Sequence, residues 1–302
     1  MAMNPGGTLD LQRFQKAKTS ENVGKKWRKD AVRRGNIDNW RVTMGKVFGY
    51  PEFDENGEKI LTTYDNDYKD MLMDIRIYRM KQGDSKNFIK SEEEMAVLLL
   101  KGGLTFKWNQ QEKKVFRKDV FTDGLYAVHV CKNTGVKVIA DTDAEILVQC
   151  THNEKEFEAY FYDPENTPWI YSCKDKFGGV AQRRVSTAFD YETAPYSNMV
   201  LGEVLNDPGN WSGYIPHTHP QPETYYFLFD RPEGFGASFV GDEVFKSVDG
   251  SFSAIPGGKV HPQSCAPGFQ MYTCWMIRHL PGNPWTDRID DERYTWLYDY
   301  EG

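Results

Sequence analysis

Short apolar runs separated by turn residues constrain the fold of this chain more than any other feature. From about residue 72 they follow one another closely: MDIRIYRM, with Ile75 and Ile77 on one face, then LTFKW, YAVHVC, VKVIAD and AEILVQC. Most are four to eight residues long, rich in Val, Ile, Tyr and Phe, and bounded by Gly, Pro, Asp or Asn. This pattern is typical of an all-β sandwich or barrel. Long stretches with a period of 3.6 residues are missing, which disfavours βαβ units.

The pattern of runs divides the chain. A less regular stretch, roughly 150–200, separates the first set of runs from a second set that includes MVLGEVL, ETYYFLF, GASFVG and QMYTCWMI. We therefore predict an all-β chain of two tandem modules, each a β-barrel or jelly roll. Residues 1–71 form a basic N-terminal extension and lead-in of uncertain structure, residues 72–196 the first module with its connection, and residues 197–302 the second module with its tail.

Charge is distributed unevenly. The chain has 37 basic and 44 acidic residues, but residues 1–34 carry nine basic and only three acidic ones. The rest has 28 basic and 41 acidic residues, a net charge of −13, and this acidity argues against a nucleic-acid partner. The basic head is most simply a solvated extension.

Location follows from what the sequence lacks. It has no apolar run long enough to cross a membrane and no secretory h-region, so we expect no membrane partner. Five cysteines without a CxxC spacing do not form a disulfide framework. A cytoplasmic protein with reduced thiols is the expectation.

A group of histidines predicts the chemistry. His217 and His219 form an H-x-H pair, with Glu223 four residues further on, and His261 follows in GSFSAIPGGKVHP. Residues i and i+2 of a strand project to one face, so both imidazoles of the pair are expected to reach one point. Glu223 and His261 complete a set of three nitrogen ligands and one oxygen ligand. Such a set suits zinc, manganese, iron or nickel and leaves room for water or substrate.

The sequence around His261 strengthens the prediction. Gly250, Pro256, Gly258 and His261 have the spacing G-x5-P-x-G-x2-H, in which Pro and Gly favour a tight turn that returns His261 over the first pair. The alternative is three unrelated histidines in the core or on the surface. We favour the metal site because three of the six histidines and one glutamate lie within two spaced β motifs.

These two motifs resemble those of the cupin fold, and the chain as a whole resembles a bicupin. The first module has His129 but no H-x-H, so it resembles a degenerate, structural cupin. The segments GNWSGYIPHTH, ETYYF, PEGFGASFV and VDGSFSAIPGGKVHPQSCAPGFQMY resemble the 5-deoxy-glucuronate isomerase family of inositol catabolism. The resemblance covers about residues 72–280. The family is in turn similar to the uronate ketol-isomerases.

The resemblance implies a function. It implies a metal-dependent aldose–ketose isomerase, an intramolecular oxidoreductase, that converts a deoxy-uronate such as 5-deoxy-glucuronate to 5-dehydro-2-deoxy-gluconate. A divalent metal would polarise the carbonyl, and a base would move the proton. Arg183 matches an arginine of the family and would hold the carboxylate, although a surface arginine or a salt bridge explains it equally well. Tyr225 is a candidate proton relay or a core residue, and Lys259 lies at the mouth of the site or in solvent.

Three departures from the family concern the pocket. Pro220 replaces an acidic residue, Phe239 lies near the position of an arginine, and Trp275 lies near that of an asparagine. These changes leave open a different cupin enzyme, including an iron-dependent dioxygenase, and a non-catalytic sugar-binding cupin. We expect a small sugar acid as ligand and a homo-oligomeric assembly.

Overall fold

The structure, a computed structural model, describes residues 46–300, and the basic head of residues 1–34 lies outside this range. The described residues form 22 strands and three short 3-10 helices, at Lys69–Met71, Phe177–Gly179 and Glu292–Asp299. The first strand, β1 (Phe48–Gly49), joins a sheet of the second half. The strands of the first half are β2 (Glu58–Thr62), β3 (Asp74–Met80), β4 (Ser85–Phe88), β5 (Glu93–Trp108), β6 (Gln111–Arg117), β7 (Ala127–Val130), β8 (Val136–Ala140), β9 (Ala144–His152) and β10 (Tyr160–Tyr162).

The second half follows the same antiparallel plan. Its strands are β11 (Ile170–Ser172), β12 (Arg183–Phe189), β13 (Met199–Asn206), β14 (Trp211–Ser212), β15 (His217–Thr218), β16 (Glu223–Phe229), β17 (Phe235–Val240), β18 (Glu243–Val248), β19 (Phe252–Ile255), β20 (Gln263–Cys265), β21 (Met271–Arg278) and β22 (Ile289–Asp290). They form a seven-stranded sheet, β1-β19-β16-β21-β13-β12-β11, and a four-stranded sheet, β14-β20-β17-β18. The first half forms one nine-stranded sheet, and β15 pairs with β22 alone.

The seven-stranded sheet is apolar on both faces. One face packs against the first half, where Ile75 and Leu147 share a core with Leu201 and Met276. The other face looks toward the four-stranded sheet of its own half. Long runs of buried residues follow from this arrangement, because a sheet covered on two sides does not alternate between apolar and polar positions.

The all-β fold is confirmed, and the division into two tandem modules stays a prediction. Strand pairing crosses both predicted boundaries. β1 and β2 precede residue 72, and β2 pairs with β3. Two strands of the irregular connection, β11 and β12, extend the sheet of the second half through β13. These strands are short or lie among turn residues, which hides their periodicity in the sequence.

A buried ion pair links the halves. The Arg117 guanidinium at the end of β6 donates two parallel hydrogen bonds of 2.8 Å to the Glu203 carboxylate on β13, and both side chains are fully buried. The Tyr272 hydroxyl on β21 donates a third bond to Glu203, also of 2.8 Å. Arg117 donates further bonds to the carbonyls of Leu99 and Asp123. A buried charge that loses such a partner is left uncompensated.

We expect Glu203→Gln to lower the free energy of unfolding by about 3–5 kcal/mol, because it leaves the Arg117 charge buried without a counterion. Urea unfolding followed by tryptophan fluorescence measures the change. Lys81→Met is the control: it removes an exposed ion pair with Asp143 and should change stability by less than about 1 kcal/mol. Equal losses in the two variants would contradict a special role for the buried pair.

Candidate functional site

The predicted ligands lie at strand ends on one side of the seven-stranded sheet. His217 belongs to β15, His219 lies in the turn that follows, and Glu223 is the first residue of β16. His261 lies in the loop between β19 and β20. Because β16 and β19 are paired, with Glu223 opposite Ile255, the chain brings this loop back over Glu223.

Three of the four predicted ligands form a tight cluster. The ligand atoms of His219, Glu223 and His261 lie within 4.8 Å of one another, and all three residues are buried. Glu223 Oε2 lies 3.0 Å from His219 Nε2 and 3.1 Å from His261 Nε2. The fourth predicted ligand, His217, lies beside this group, with its ring centroid 4.8 Å from that of His261.

Backbone carbonyls fix the orientation of all three imidazoles. Nδ1 of His217 lies 3.0 Å from the carbonyl oxygen of Ile215, and Nδ1 of His219 lies 3.0 Å from that of Gln221. Nδ1 of His261 lies 2.7 Å from the carbonyl oxygen of Lys259. A carbonyl oxygen only accepts, so each Nδ1 carries the proton and each Nε2 offers a lone pair. This is the arrangement that orients histidine ligands of metals.

The cluster fits a divalent cation. Two Nε2 lone pairs and a carboxylate oxygen face one another at about 3 Å, and they repel unless a proton or a cation lies between them. Among residues 46–300, His261 Nε2 is a buried nitrogen without a hydrogen-bond partner. Three imidazoles and one carboxylate form the donor set that zinc, manganese, iron and nickel accept.

Burial and contacts shift the protonation of the cluster. Burial, together with the neighbouring His261, lowers the pKa of His217 to about 3, which keeps this imidazole neutral and available as a ligand. Burial raises the pKa of Glu223, but the neighbouring imidazoles of His219 and His261 outweigh it and lower the pKa to about 2. The carboxylate is therefore ionised at neutral pH.

The wall next to the cluster is aromatic and incompletely hydrogen-bonded. Tyr225 lies two residues after Glu223 on the same face of β16, and its ring centroid lies 5.9 Å from that of His261. The next residue, Tyr226, points the other way, into the core shared with the first half. Burial raises the pKa of Tyr225 well above its usual value, so its hydroxyl stays protonated. Trp275 lies opposite Tyr225 on β21, and its buried indole nitrogen has no hydrogen-bond partner within the described range.

Arg183 is a buried cation beside this wall. It is 6% exposed, and its guanidinium donates to the carbonyls of Ala181, at 2.9 Å, and Tyr214, at 3.3 Å. It has no ion pair with a carboxylate of residues 46–300. Its charge acts on Tyr225 and opposes the rise in the pKa of that hydroxyl. The surface location considered for Arg183 is therefore wrong.

Lys259 contributes its backbone to the cluster through the carbonyl that holds His261. A methyl group at Gly241 would stand 3.4 Å from Lys259 Cδ, so the side chain lies along the turn between β17 and β18. No described contact joins its ammonium to the cluster.

The C-terminal strap, residues 281–300, contributes to the site in a way that sequence reasoning missed. Its strand β22 pairs with β15, with Asp290 opposite His217. The Trp285 ring lies 6.3 Å from the His219 ring and 5.7 Å from the Trp275 ring. The tail is rich in aromatic residues, a sequence signal that favours packing but does not identify the partner.

The three departures from the family pattern occupy different positions. Pro220 is exposed, Phe239 stacks on Trp211 at 5.7 Å, and Trp275 lies across Gly202. In the first half, His129 is buried against Glu94, with Nε2 and Oε2 2.8 Å apart. The described part of the first half contains no group of three metal-binding side chains.

A search of residues 46–300 for a helix with the length and apolarity of a membrane span finds none.

Comparisons with known protein sequences all indicate the same family. The profile of the KduI/IolB family matches residues 50–297. A 5-deoxy-glucuronate isomerase of Geobacillus kaustophilus is 27% identical over 236 residues, which cover 69% of this chain and 83% of that protein. One of Bacillus subtilis strain 168 is 23% identical over 262 residues, which cover 76% of this chain and 93% of that protein.

Solved structures give the same fold. An IolB-like protein of Salmonella typhimurium LT2 superposes with a TM-score of 0.76 at 20% identity, covering 84% of this chain and 99% of that one. Oxalate decarboxylase of Lactobacillus farciminis superposes with a TM-score of 0.61 at 11% identity, covering 85% and 94%. At these identities the likeness shows the fold alone.

The strap should loosen in acid because of His279. This residue is 3% exposed, its Nδ1 accepts a 3.0 Å hydrogen bond from the Trp285 amide, and burial lowers its pKa to about 4. The unfolded chain takes up this proton at about pH 6.5, so stability should fall as the pH drops from about 6.5 to about 4. Thermal unfolding midpoints across this range measure the effect.

His279→Gln is the control, because glutamine accepts the same bond without titrating. It should flatten the acid side of the stability profile. An unchanged profile would show that His279 does not carry the effect.

Proposed function

The chain belongs to the KduI/IolB family, and we propose that it is a metal-dependent isomerase that interconverts the aldose and ketose forms of a deoxy-uronate. The substrate class comes from the relatives named 5-deoxy-glucuronate isomerase. The reaction would convert 5-deoxy-glucuronate to 5-dehydro-2-deoxy-gluconate in inositol catabolism. The observation that carries the proposal is the buried cluster of His219, Glu223 and His261, whose nitrogen lone pairs face one carboxylate oxygen.

The metal would be held by His219, Glu223 and His261, with His217 as the fourth ligand. When bound, a divalent cation supplies a Lewis acid that polarises a carbonyl and stabilises negative charge on oxygen. The protein prepares the ligands beforehand, because the carbonyls of Ile215, Gln221 and Lys259 hold each imidazole in the tautomer that offers Nε2. The set does not select one metal among zinc, manganese, iron and nickel.

Tyr225 is the proposed proton donor. An aldose–ketose isomerisation moves a proton between two neighbouring carbons and another between their oxygens. The raised pKa of Tyr225 makes it a donor and excludes it as the resting base. The 5.9 Å separation of its ring centroid from that of His261 supports this role, because the side chain lies next to the cluster. Lys259 stays a sequence-based catalytic candidate without an assigned step.

Arg183 is the proposed partner of the substrate carboxylate. A buried guanidinium without a carboxylate in residues 46–300 has unused capacity for an anion, and two of its five N–H groups reach carbonyls of the chain. A planar fork binds a carboxylate with two parallel hydrogen bonds. Its position by Tyr225 would direct the sugar chain toward the cluster.

Assembly and location stay predictions from the sequence: a cytoplasmic homo-oligomer built from two cupin modules. The alternative of an oxygen-using cupin has no observation in its favour beyond the fold, which is shared with an oxalate decarboxylase.

Removal of the metal should abolish turnover. We expect Glu223→Gln and His261→Ala to lose bound divalent metal, measured by elemental analysis after dialysis, and to reduce isomerisation of 5-deoxy-glucuronate by more than about 100-fold. The exposed His152 provides the control: His152→Gln should keep metal and activity. Full metal content in both cluster variants would contradict the ligand assignment.

The reaction itself is tested on the metal-loaded protein. NMR of 5-deoxy-glucuronate should show conversion to the ketose without uptake of oxygen. Oxygen consumption coupled to turnover would instead identify a dioxygenase. An unchanged substrate would contradict the proposed specificity.

Arg183→Lys should weaken substrate binding. Loss of a bidentate bond to a charged group costs about 1.5–3 kcal/mol, so kcat/KM should fall about 10- to 150-fold, mainly through KM. Arg184→Met, the next residue on β12, is the matched control because its side chain reaches toward Asp207, 3.7 Å away. Steady-state kinetics on both variants separates binding from catalysis, and equal kinetics would exclude the carboxylate role.

A further inference from the structure

A polar cavity lies between the two halves. It has a volume of about 160 Å³ and is lined from the first half by Lys59 on β2 and from the second half by Tyr226 on β16 and the Asp249–Gly250 turn. Successive residues of a strand point to opposite faces, so this cavity is on the other side of β16 from Glu223 and Tyr225. It shares Arg79, Lys101 and Glu145 with a wider groove of about 640 Å³, which gives it a route to solvent.

Lys59 is the unusual residue of this cavity. It is only 6% exposed, and its ammonium donates one long hydrogen bond, of 3.3 Å, to the Gly250 carbonyl. Within residues 46–300 no carboxylate oxygen lies within 4.0 Å of Nζ. The rings of Phe53 and Tyr226 approach it at 4.5 and 5.7 Å. An ammonium can donate three hydrogen bonds, so Lys59 lacks acceptors, and a buried charge without them is costly.

The cavity is lined by three cations and three carboxylates, but no carboxylate pairs with the Lys59 ammonium. Glu145 is shared by two cations, with Arg79 Nε at 2.7 Å and Lys101 Nζ at 3.1 Å. Asp119 also lines the cavity, but its Oδ1 accepts three hydrogen bonds from its own turn. Asp249 is the third carboxylate of the lining, and its Oδ1 already accepts a hydrogen bond from the Phe229 amide. Burial and the charge of Arg79 both lower the pKa of Lys59, which shows how poorly the ammonium is compensated.

We propose that this cavity is a binding site for a small carboxylate or phosphate anion, with the Lys59 ammonium as its central contact. The anion would supply the acceptors that the Lys59 ammonium lacks. The volume corresponds to about five water molecules at roughly 30 Å³ each, so the ligand is no larger than a phosphate or a two- to three-carbon acid.

The position of the site links it to the loop that carries His261. Gly250 accepts the only hydrogen bond of Lys59 in the described residues and is also the first residue of the G-x5-P-x-G-x2-H sequence. It has φ of 78°, and a methyl group there would stand 2.5 Å from Nζ, so the turn needs glycine both for its backbone and for the approach of Lys59. An anion on Lys59 would thus contact both halves at the turn before β19, the strand that leads into this loop.

Thermal unfolding of the full-length protein tests the site, with inorganic phosphate or acetate added at constant ionic strength against chloride. A ligand that binds only the folded state raises the unfolding midpoint in proportion to its saturation. We expect a rise of a few degrees that saturates with one of the two anions. Which anion acts distinguishes a phosphate site from a carboxylate site, and no saturable rise with either would overturn the proposal.

Matched variants locate the binding. Lys59→Met keeps the length of the side chain but removes the charge, and it should abolish the rise. Lys107→Met is the control, because Lys107 pairs at 2.8 Å with Glu112 away from the cavity and should leave the rise intact. If the anion raised the unfolding midpoint of Lys59→Met as much as that of the unaltered protein, the anion would bind elsewhere, such as at the metal cluster. That result would overturn the proposal whether or not the protein is an isomerase.

Crystals of the unaltered protein give a test that does not depend on the folding of a variant. After a bromide soak, an anomalous peak beside Lys59 Nζ is expected. Bromide peaks at surface sites with none in the cavity would show that it does not bind anions.

Discussion

The buried ion pair between Arg117 and Glu203 fixes how the two halves of the molecule meet. Three hydrogen bonds converge on the Glu203 carboxylate, and they come from β6 of the first half and β21 of the second. Apolar contacts in the shared core give this interface its area but little direction, because hydrophobic burial does not depend on angle. The ion pair supplies direction: only one register of β13 against the first half satisfies both partners. The opposite face of the same sheet then has a fixed position, and the histidine cluster lies there.

Local spacing explains which parts of the site could be predicted from the sequence. His219, Glu223 and His261 belong to two motifs whose residues are close in the chain, so each motif could be recognised in the sequence, and the pairing of β16 with β19 then brings the two motifs together. The burial of Arg183 depends instead on the pairing of β12 with β13, and that of Lys59 on contact between the halves. Trp285 approaches His219 only because a strand far along the chain pairs with β15. Long-range pairings of this kind have no periodic signal in one sequence. The all-β pattern was visible for the same reason as the motifs, whereas β1 and β2 are too short to show one.

Charge in this protein is controlled locally. The residues after position 34 have a net charge of −13, a field that opposes the approach of an anionic substrate. Two buried cations, Arg183 and Lys59, lie on opposite faces of the seven-stranded sheet, and neither has an ion pair with a carboxylate of residues 46–300. A buried charge interacts strongly over short distances because the surrounding dielectric is low, and solvent screens it little. Each cation can therefore attract an anion at its own site despite the overall charge.

The pairing of β15 with β22 determines when, during synthesis, the histidine cluster can reach its final geometry. His217 lies on a two-residue strand whose only hydrogen-bonded neighbour in the described sheets is residues 289–290, more than seventy residues later. A nascent chain that has emerged only to β21 has all its large sheets and the other three histidine and glutamate side chains, but β15 is still an unpaired edge. A stalled or prematurely terminated chain would contain the folded sheets, and a folding assay would register it as folded. The geometry around His217 would nevertheless be incomplete. The order in which segments leave the ribosome thus separates folding of the scaffold from maturation of the site.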